Sequence, residues 1–343
     1  MYSDEITQNI LLNDALYVNE SVDLSQLDGL DVTITGATGL VGFNLLCALN
    51  YYNRSLAKKP IRIHALSHRR PDGIIESIFN ASRINSLVGD LSDNNFIASL
   101  PKSDAIIHSA GYGQPGLFLE DKLKTISINT TATIGLSKNL RKGGRFLFLS
   151  SSEVYSGCGS DENKETDIGT TNPTHPRSCY IESKRTGEAI INALREKGYR
   201  ASSARLALAY GPGVKPGDQR VLNQFIEKGI CGQIDLLDSG QALRTYGYIA
   251  DVVSMLLHIL IRGKEPVYNV GGRSVTSIKD LAKKIGREMN VAVLVPNSSS
   301  GMKGAPNFVG LNLSKIEDEF LITKYIDLHQ GLINTIEWIK NYE

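Results

Sequence analysis

The chain has 343 residues, of which 41% are hydrophobic and 21% are charged. This is the composition of an ordinary globular protein with a sizeable core, in one large unit or two domains. Lys and Arg number 37 against 36 Asp and Glu, so no net charge recruits nucleic acid or an anionic membrane. We therefore expect neither as a partner.

The sequence also argues against a metal, disulfide or membrane protein. No Cys-x-x-Cys pair is present and the histidines are scattered, so no metal site is predicted and the thiols are expected to be reduced. The N-terminus lacks a basic region followed by an apolar run. The longest apolar stretch, 252–261, is interrupted by Ser254 and His258. We expect a cytoplasmic protein.

Residues 1–28 are interpreted as an N-terminal arm. Ile6 and Ile10, and then Leu12 and Leu16, lie four residues apart, which is the spacing of one helix face. Such a helix would pack on the body of the protein or on a second subunit.

From residue 31 onward, short β-rich runs alternate with helical segments. This alternation predicts an α/β fold, a Rossmann-type doubly wound parallel sheet with helices on both faces. The first helix is predicted over 40–49. The predicted strands are 31–35, 61–66, 86–88, 105–108, 146–149 and 201–206.

After about residue 209 the pattern becomes irregular, with an isolated helix predicted over 221–228. Another sheet-covering helix is predicted over 250–262, and short strands and helices alternate from 268 onward. We interpret residues 29–208 plus about 244–267 as a dinucleotide-binding domain. Residues 209–243 plus 268–343 are then a smaller, discontinuous C-terminal substrate-binding lobe.

A glycine-rich turn follows the first predicted strand and opens the first predicted helix. Its three glycines allow a tight turn, close approach of the backbone to a pyrophosphate, and close packing of helix on strand. The helix N-terminus then offers free N–H groups to the anion. The predicted cofactor contacts in this turn are Gly36, Thr38, Gly39, Leu40, Val41 and Gly42.

Three later segments fit the same ligand. Asp90 and Leu91 follow the third strand, where the carboxylate can accept a hydrogen bond from an adenine amino group. Ser109 and Ala110 follow the fourth strand with small side chains, as a backbone passing close to a cofactor requires. Asn129 is predicted to begin a helix beside them.

The end of the second strand departs from the NAD pattern. An acidic residue is expected there to bind the ribose 2′-hydroxyl, but the chain reads Ser67-His68-Arg69-Arg70. Cations suit a 2′-phosphate, so the cofactor is predicted as NAD or NADP with a slight preference for NADP, bound through Ser67 and Arg69. The alternative is that the two arginines lie in a solvated loop and NAD binds.

Tyr180 and Lys184 are the predicted centre of the chemistry. They lie at positions i and i+4 on one helix face, and a nearby ammonium lowers the pKa of a tyrosine towards the working pH. Such a tyrosine can take or return the proton of a sugar hydroxyl while a nicotinamide takes or returns hydride. Both residues are also predicted to contact the cofactor.

The run Ser-Ser-Ser-Glu-Val-Tyr at 150–155 follows a predicted strand, so its polar groups lie where open α/β sheets bind ligands. Ser151 is predicted to hydrogen-bond the reacting oxygen, and Ser152 to contact the substrate. Glu153 is predicted to act as a second acid or base, with a structural salt bridge as the alternative.

In sequence order, these motifs resemble the extended short-chain dehydrogenase/reductase family and, more narrowly, its NAD-dependent epimerase/dehydratase group. The resemblance runs from about residue 29 to the end of the chain. It is carried by Gly36-x-x-Gly39-x-x-Gly42, the run 150–155, Tyr180-x-x-x-Lys184, Arg205 with Tyr210-Gly-Pro212, and the run 244–251.

The resemblance implies a catalytic set of Ser151, Tyr180 and Lys184, and a C-terminal lobe that binds a nucleotide diphosphate sugar. Arg220 and Arg244 match positions that commonly hold the nucleotide or its diphosphate, a task suited to the guanidinium fork. Enzymes of this family are usually homodimers.

The family oxidises a sugar carbon, usually C4, and then branches. Hexose 4,6-dehydratases need an Asp-Glu pair after the Ser or Thr, whereas this chain has Ser152-Glu153. UDP-glucuronate decarboxylases typically show Ser-Thr-Ser-Glu-Val-Tyr there, which is the nearest pattern, and the run 180–185 also resembles theirs. Leu208 departs from the family, which commonly has Asn before the Tyr-Gly-Pro turn.

The leading hypothesis is therefore a UDP-glucuronate decarboxylase-like reaction. A nucleotide-sugar 4-epimerase is the close alternative, followed by a 4,6-dehydratase or a keto-sugar reductase. A non-catalytic dinucleotide-binding protein is the alternative of another class, and it would need no Tyr-Lys pair.

Overall fold

The structure is a computed structural model that describes residues 2–71, 73–80, 84–160, 162–296 and 310–342. The first residue of the predicted arm, and residues 297–309 and 343 of the predicted C-terminal lobe, lie outside the described residues.

Strands and helices alternate along the described chain. The strands are β1 (Asp31–Thr35), β2 (Arg62–Ser67), β3 (Ile84–Val88), β4 (Ser103–His108), β5 (Leu140–Ser151), β6 (Glu162–Asn163), β7 (Arg200–Leu206), β8 (Leu208–Tyr210), β9 (Gln233–Asp235), β10 (Leu243–Tyr248), β11 (Val267–Val270), β12 (Ser274–Ser277), β13 (Ala292–Leu294) and β14 (Gly310–Leu311). The helices are α1 (Tyr2–Ser21), α2 (Leu40–Ser55), α3 (Gly73–Phe79), α4 (Asn94–Ser99), α5 (Pro115–Glu120), α6 (Lys122–Asn129), α7 (Thr131–Ser137), α8 (Ser178–Glu196), α9 (Val221–Ile230), α10 (Ile249–Arg262), α11 (Ile278–Met289), α12 (Ser314–Phe320) and α13 (Leu328–Lys340).

A seven-stranded parallel sheet lies at the centre, with the strand order β3-β2-β1-β4-β5-β7-β11. The predicted doubly wound α/β fold is confirmed. Because the order reverses direction between β1 and β4, a crevice opens there at the carboxyl ends of the strands, where such sheets bind ligands.

The sheet is buried on both faces, as the alternation along β5 illustrates. Leu147 and Leu149 belong to the larger core, which also contains α2 and α10, whereas Phe146 and Phe148 point into a second core with α7 and α8. Helix α10 is buried along nearly its whole length, because it lies between the sheet and other helices and is apolar on nearly all sides.

Smaller sheets lie beyond the carboxyl ends of the large one. Strand β10 pairs with β8 in parallel and with β12 in antiparallel orientation, and β13 pairs with β9. Strand β11 instead extends the large sheet beside β7. The division into two lobes stays a prediction.

The arm forms helix α1, which packs on α2, α10 and α13 of the same chain. Its buried face differs from the one expected, because Ile6, Leu12 and Leu16 are largely exposed. The face of α1 turned to the protein contains both apolar and polar residues: Leu11, Ala15 and Val18, with Thr7 and Asp14. Spacing alone misidentified it, because a polar residue, Asp14, is buried there by hydrogen bonding to the protein body.

Asn129 also differs from the expectation. It is the last residue of α6 and does not begin a helix. Helix α6 starts at Lys122 because the Asp121 carboxylate accepts a hydrogen bond from the Lys124 N–H and caps it. Thr130 then separates α6 from α7.

Candidate active site

A cleft of about 340 Å³ lies at the carboxyl ends of β1, β4, β5 and β7. It brings together residues that are distant in sequence. Those predicted from sequence that line it are Gly36, Thr38, Gly39, Leu40, Val41, Gly42, Ser109, Ser151, Ser152, Glu153, Tyr180, Lys184 and Arg220. We treat this cleft as the candidate active site.

The glycine turn is shaped by backbone contacts that leave no room for side chains. Gly36 has a φ of 67°, and a Cβ on it would lie 2.8 Å from the backbone of Ala110. A Cβ on Gly42 would lie 2.3 Å from the carbonyl oxygen of Gly36. The turn therefore requires glycine at both positions, and the end of β4 packs directly against it.

Helix α2 begins at the floor of the cleft. The N-cap of α2 is Gly39, which has no side chain to bond the first N–H groups of the helix. Thr38, Leu40 and Val41 line the cleft beside Gly39. The first N–H groups of a helix have no partner within the helix, and the helix dipole adds partial positive charge there. This cradle fits the pyrophosphate of a dinucleotide in shape and in its donors.

Residues after β4 support the same cradle from the side. The Ser109 hydroxyl donates to the Thr35 carbonyl, and the Ala110 N–H donates to Thr35 Oγ1 at 3.1 Å. On the other side, Thr35 Oγ1 is 2.7 Å from Nδ1 of buried His108. Burial lowers the pKa of His108 to about 4, so this ring is neutral near pH 7 and holds the strand end in place.

Asn129 lies behind the predicted catalytic residues and is not among those that line the cleft. Its Nδ2 donates to Ser183 Oγ at 3.0 Å and to the Thr125 carbonyl at 3.0 Å. Its Oδ1 is buried and has no hydrogen-bond partner among the described residues. It joins α6 to α8 beneath the site.

Besides Asn129, five predicted cofactor residues are not among those that line the cleft: Ser67, Arg69, Asp90, Leu91 and Ala110. Ser67 is buried at the end of β2, and Arg69 is exposed in the loop that follows. Lys124 Nζ donates to the Asp90 carboxylate at 2.6 Å. Although burial raises the pKa of Asp90, the bonds from Lys124 and Ser92 outweigh it and lower the pKa to about 2. Their roles stay predictions.

Ser151, Tyr180 and Lys184 converge in the middle of the cleft. Ser151 ends β5, whereas the other two lie one turn apart on α8. Burial raises the pKa of Tyr180 to about 12, with the Glu153 charge adding to the rise and a hydrogen bond with Ser151 opposing it. Burial lowers the pKa of Lys184 to about 7.

The expected lowering of the Tyr180 pKa by Lys184 is therefore wrong. Lys184 Nζ donates to the Leu149 carbonyl at 2.7 Å and lies 5.7 Å from the centre of the Tyr180 ring. Both groups are buried, and burial disfavours the charged form of each. Spacing on a helix face placed the two residues correctly but did not reveal how strongly they are desolvated.

Glu153 forms an ion pair with Arg177, the residue before α8. Burial raises the pKa of Glu153, and the Arg177 charge opposes the rise. Arg177 also lies 5.4 Å from the centre of the Phe118 ring, which stacks on the Tyr180 ring at 4.5 Å. The salt bridge weighed as an alternative for Glu153 is thus present, although Glu153 still lines the cleft.

The predicted substrate arginines differ in their surroundings. Arg220 lines the cleft, but its guanidinium is bound by Asp218, with Nη2 2.6 Å from Oδ2. Arg244, on β10, is not among the residues that line the cleft. Burial lowers the pKa of Arg244, and the nearby charge of Arg177 lowers it further. The structure thus brings Arg220 into the cleft, whereas Arg244 does not line it but lies near Arg177, the ion-pair partner of Glu153.

Sequence reasoning missed three supports of this site. Phe118 covers Tyr180, Arg177 neutralises Glu153, and Glu188 accepts hydrogen bonds from Ser150 and Arg205 beneath the catalytic run. The position of Arg177, three residues before Tyr180, could have placed it on the same side of the helix start. Nothing local to Phe118 indicated its partner.

Other kinds of site are not found in the described part of the chain. It contains no group of three His, Cys, Asp or Glu residues that could hold a metal ion. None of its helices combines the length and hydropathy needed to cross a bilayer. The cysteines at 47, 158, 179 and 231 are free thiols.

Comparison with known proteins agrees with this geometry. The sequence pattern of the NAD dependent epimerase/dehydratase family matches residues 32–271. UDP-glucuronic acid decarboxylase 1 of Xenopus tropicalis is 28% identical over 274 residues, which are 76% of this chain and only 61% of that protein's length.

Two solved structures show the same fold. DesIV, the dTDP-glucose 4,6-dehydratase of Streptomyces venezuelae, has a TM-score of 0.78 at 20% identity, over 91% of this chain and 97% of its own. The UDP-N-acetylglucosamine 4-epimerase of Methanobrevibacter ruminantium M1 has a TM-score of 0.78 at 18% identity, over 92% and 100%.

Proposed function

The chain belongs to the NAD dependent epimerase/dehydratase family, and from this premise we propose that it is a nucleotide-sugar decarboxylase. In the proposed reaction a nucleotide-linked hexuronate is oxidised at C4, loses carbon dioxide, and is reduced again. One observation carries the proposal: a single cleft joins the glycine turn, the Ser151, Tyr180 and Lys184 set, and Arg220.

Tyr180 and its neighbours would move the proton at the sugar C4 oxygen. The C4 hydroxyl gives its proton to the phenolate of Tyr180 as hydride leaves C4, and Ser151 holds the same oxygen. When bound, NAD supplies the hydride acceptor and a positive ring that favours the phenolate. Burial lowers the pKa of Lys184 to about 7, so near neutral pH its amine can be protonated or neutral and can relay the proton.

Glu153 would act in the decarboxylation step, which follows the oxidation at C4 and determines the product. In a 4-keto acid, the bond from C5 to the carboxylate breaks, carbon dioxide leaves, and the bonding electrons remain as an enolate. A proton must then reach C5. Glu153, whose pKa is raised by burial although the Arg177 charge opposes the rise, would deliver it from its protonated form, which gives up the ion pair with Arg177. Hydride then returns to C4 and the proton returns from Tyr180, so the reaction is redox-neutral.

The charges near Glu153 favour an acidic sugar. Arg177 and Arg244 are close enough for the charge of one to lower the pKa of the other, and Glu153 neutralises one of them. A surplus of positive charge suits a hexuronate better than a neutral hexose. The similarity to a UDP-glucuronic acid decarboxylase at 28% identity points in the same direction.

A nucleotide-sugar 4-epimerase remains the second candidate. An epimerase needs the same Ser151, Tyr180 and Lys184 set but does not require Glu153 as an acid or base. Glu153 is ion-paired with Arg177 in this structure. The 4,6-dehydratase is less well supported, since Ser152 stands where that reaction needs Asp.

Product mass separates these reactions. Purified protein is incubated with NAD and, separately, with UDP-glucuronic acid and neutral UDP-sugars, and the products are analysed by mass spectrometry. Loss of carbon dioxide from UDP-glucuronic acid supports the proposal. Loss of water identifies a dehydratase, and an unchanged mass with altered sugar stereochemistry identifies an epimerase. Bound NAD without turnover of any nucleotide sugar favours the non-catalytic class.

A homodimer is proposed from an exposed apolar face. Leu123 and Ile126 on α6 and Ile134 on α7 are exposed, and they lie beside α8, whose exposed residues there include Ala189. Pairing this face with its copy would remove it from water. Light scattering is expected to give twice the chain mass for the native protein and a single chain mass for Leu123→Glu with Ile134→Glu.

Cofactor preference and location stay predictions. The family is NAD-dependent, and a choice of NADP over NAD would rest on Arg69, which is exposed after β2.

A further inference from the structure

Helix α1 lies outside the region that matches the family, yet it is bonded to a part of the chain that the family shares. Two of its polar side chains, those of Asp14 and Tyr17, point into the protein. Each makes a hydrogen bond to the junction of β10 and α10, 234 residues later in the chain. Simple covering of a core needs apolar contacts only, so these polar bonds call for a separate explanation.

Asp14 is bonded to the last residue of β10. The Tyr248 hydroxyl lies 2.8 Å and 3.1 Å from the two carboxylate oxygens of Asp14, and Asn334 Nδ2 on α13 donates to the same hydroxyl at 2.9 Å. Because Asn334 donates to it, the Tyr248 hydroxyl donates to Asp14. Both Asp14 and Tyr248 are buried, so the arrangement has little freedom to relax.

Tyr17 is bonded to the first turn of α10. Its hydroxyl donates to Asp251 Oδ1 at 2.7 Å, while the N–H of Ile326 donates to Oδ2 at 3.0 Å. The Asp251 carboxylate therefore joins α1 to the segment before α13. Asp251 is buried, with 4% of its surface exposed.

The junction held in this way leads directly to the cleft. Strand β10 begins just before Arg244 and pairs with β8, so that Tyr248 lies opposite Tyr210 and Gly247 opposite Ala209. The Tyr248 and Tyr210 rings also pack edge to face, with centres 5.6 Å apart. Ala209 lines the cleft, and its carbonyl accepts a hydrogen bond from Arg220.

We infer that Asp14 and Tyr17 are positioning residues for the substrate side of the cleft. They fix Tyr248 and Asp251 at the start of α10, and these hold β10 and β8 in the register that places Arg244, Ala209 and Arg220. The inference rests on the proposed function only in identifying the ligand of that side as a nucleotide sugar. The glycine turn follows β1, and neither of these bonds is made to it.

The test compares Tyr17→Phe and Asp14→Leu with two controls. Tyr51→Phe removes the same atom from a tyrosine whose hydroxyl makes no hydrogen bond to the described residues. Asp14→Asn keeps an acceptor for Tyr248 and should rescue most of the effect. For each protein, KM, kcat, the Kd of NAD and the thermal midpoint are measured, together with hydrogen–deuterium exchange of peptides covering 208–211 and 243–248.

Tyr17→Phe and Asp14→Leu are expected to raise KM for the nucleotide sugar roughly three- to tenfold. Amides of β8 and β10 should exchange faster, while kcat and the Kd of NAD stay within about twofold, since chemistry and the glycine turn are untouched. Unchanged exchange in β8 and β10, or an equal weakening of NAD binding, would overturn the inference and leave α1 a general stabiliser.

Failure of the proposed function gives a different result. If no nucleotide sugar is turned over by the native protein, the proposed reaction is wrong, but the exchange of β8 and β10 still reports whether α1 positions them. If turnover is found and exchange does not respond to Tyr17→Phe or Asp14→Leu, only the positioning role is wrong.

Discussion

The two sides of the cleft are built by different means. The side predicted to bind the cofactor is formed by backbone. Gly36 packs against the end of β4, and the start of α2 supplies backbone N–H donors. On the substrate side, charged side chains are already neutralised by one another, Glu153 by Arg177 and Arg220 by Asp218. The first side is organised before its ligand arrives, whereas the second must exchange internal partners for external ones.

The largest effect should come from the residue between the two sides. Tyr180→Phe removes the phenol oxygen that we propose to exchange a proton with the sugar, and we expect turnover to fall roughly 10²- to 10⁴-fold. NAD affinity should change little, because the stacking of this ring on Phe118 is kept. Single-turnover kinetics and NAD titration measure the two quantities. Near-normal turnover would remove the assigned role of Tyr180.

A second variant is expected to weaken NAD binding by distorting the glycine turn. In Gly36→Ala, the new Cβ would lie 2.8 Å from the backbone of Ala110, and the alanine would have to adopt a positive φ. The backbone of the turn or of Ala110 must therefore move. We expect NAD to bind roughly 10- to 100-fold more weakly. Gly159→Ala is the matched control, since no described atom lies within 4 Å of a Cβ there. Equal NAD affinity in both variants would show that the turn does not carry the cofactor.

The internal pairing of the substrate side can be tested through pH. Burial raises the pKa of Glu153 and Arg177 opposes this, so Arg177→Gln should raise that pKa further. The limb of the pH–rate profile that reports Glu153 is then expected to move to higher pH. In Glu153→Gln, the added Arg177→Gln should produce no such movement. A limb that stays in place, or moves to lower pH, contradicts the pairing.

The smallest effect is expected at the edge of the cofactor side. Arg69 is exposed, so its contribution to binding a 2′-phosphate is limited by solvent. Arg69→Ala should lower the ratio of NADP to NAD affinity by roughly two- to fivefold, as measured by parallel titrations. An unchanged ratio would mean that Arg69 is a solvated loop residue.

The same contrast explains what could be predicted from the sequence. The doubly wound parallel sheet, the glycine turn and the convergence of Ser151, Tyr180 and Lys184 could be predicted from local motifs, because parallel strands bring their carboxyl ends together. The partners of Glu153 and Arg220 were not predicted, because each depends on how side chains from separate segments meet. Desolvation was also missed, since the spacing of Tyr180 and Lys184 carries no information on burial.

The arm shows a related limit. Spacing correctly indicated a helix in residues 1–28 but selected Leu12 and Leu16 for its buried face, whereas Asp14 is buried between them. A buried carboxylate is rarely expected from pattern alone, because its hydrogen-bond donor lies far along the chain, at Tyr248.

The bonds of α1 also have a consequence for biosynthesis. Its partner Asp251 follows Tyr17 by 234 residues. At a translation rate of roughly 5 to 20 residues per second, Asp14 and Tyr17 wait roughly 10 to 50 seconds for their partners, whereas α2, on which α1 also packs, follows within about 40 residues. During that interval the two polar side chains have no partner at the start of α10, so the substrate side of the cleft is completed last.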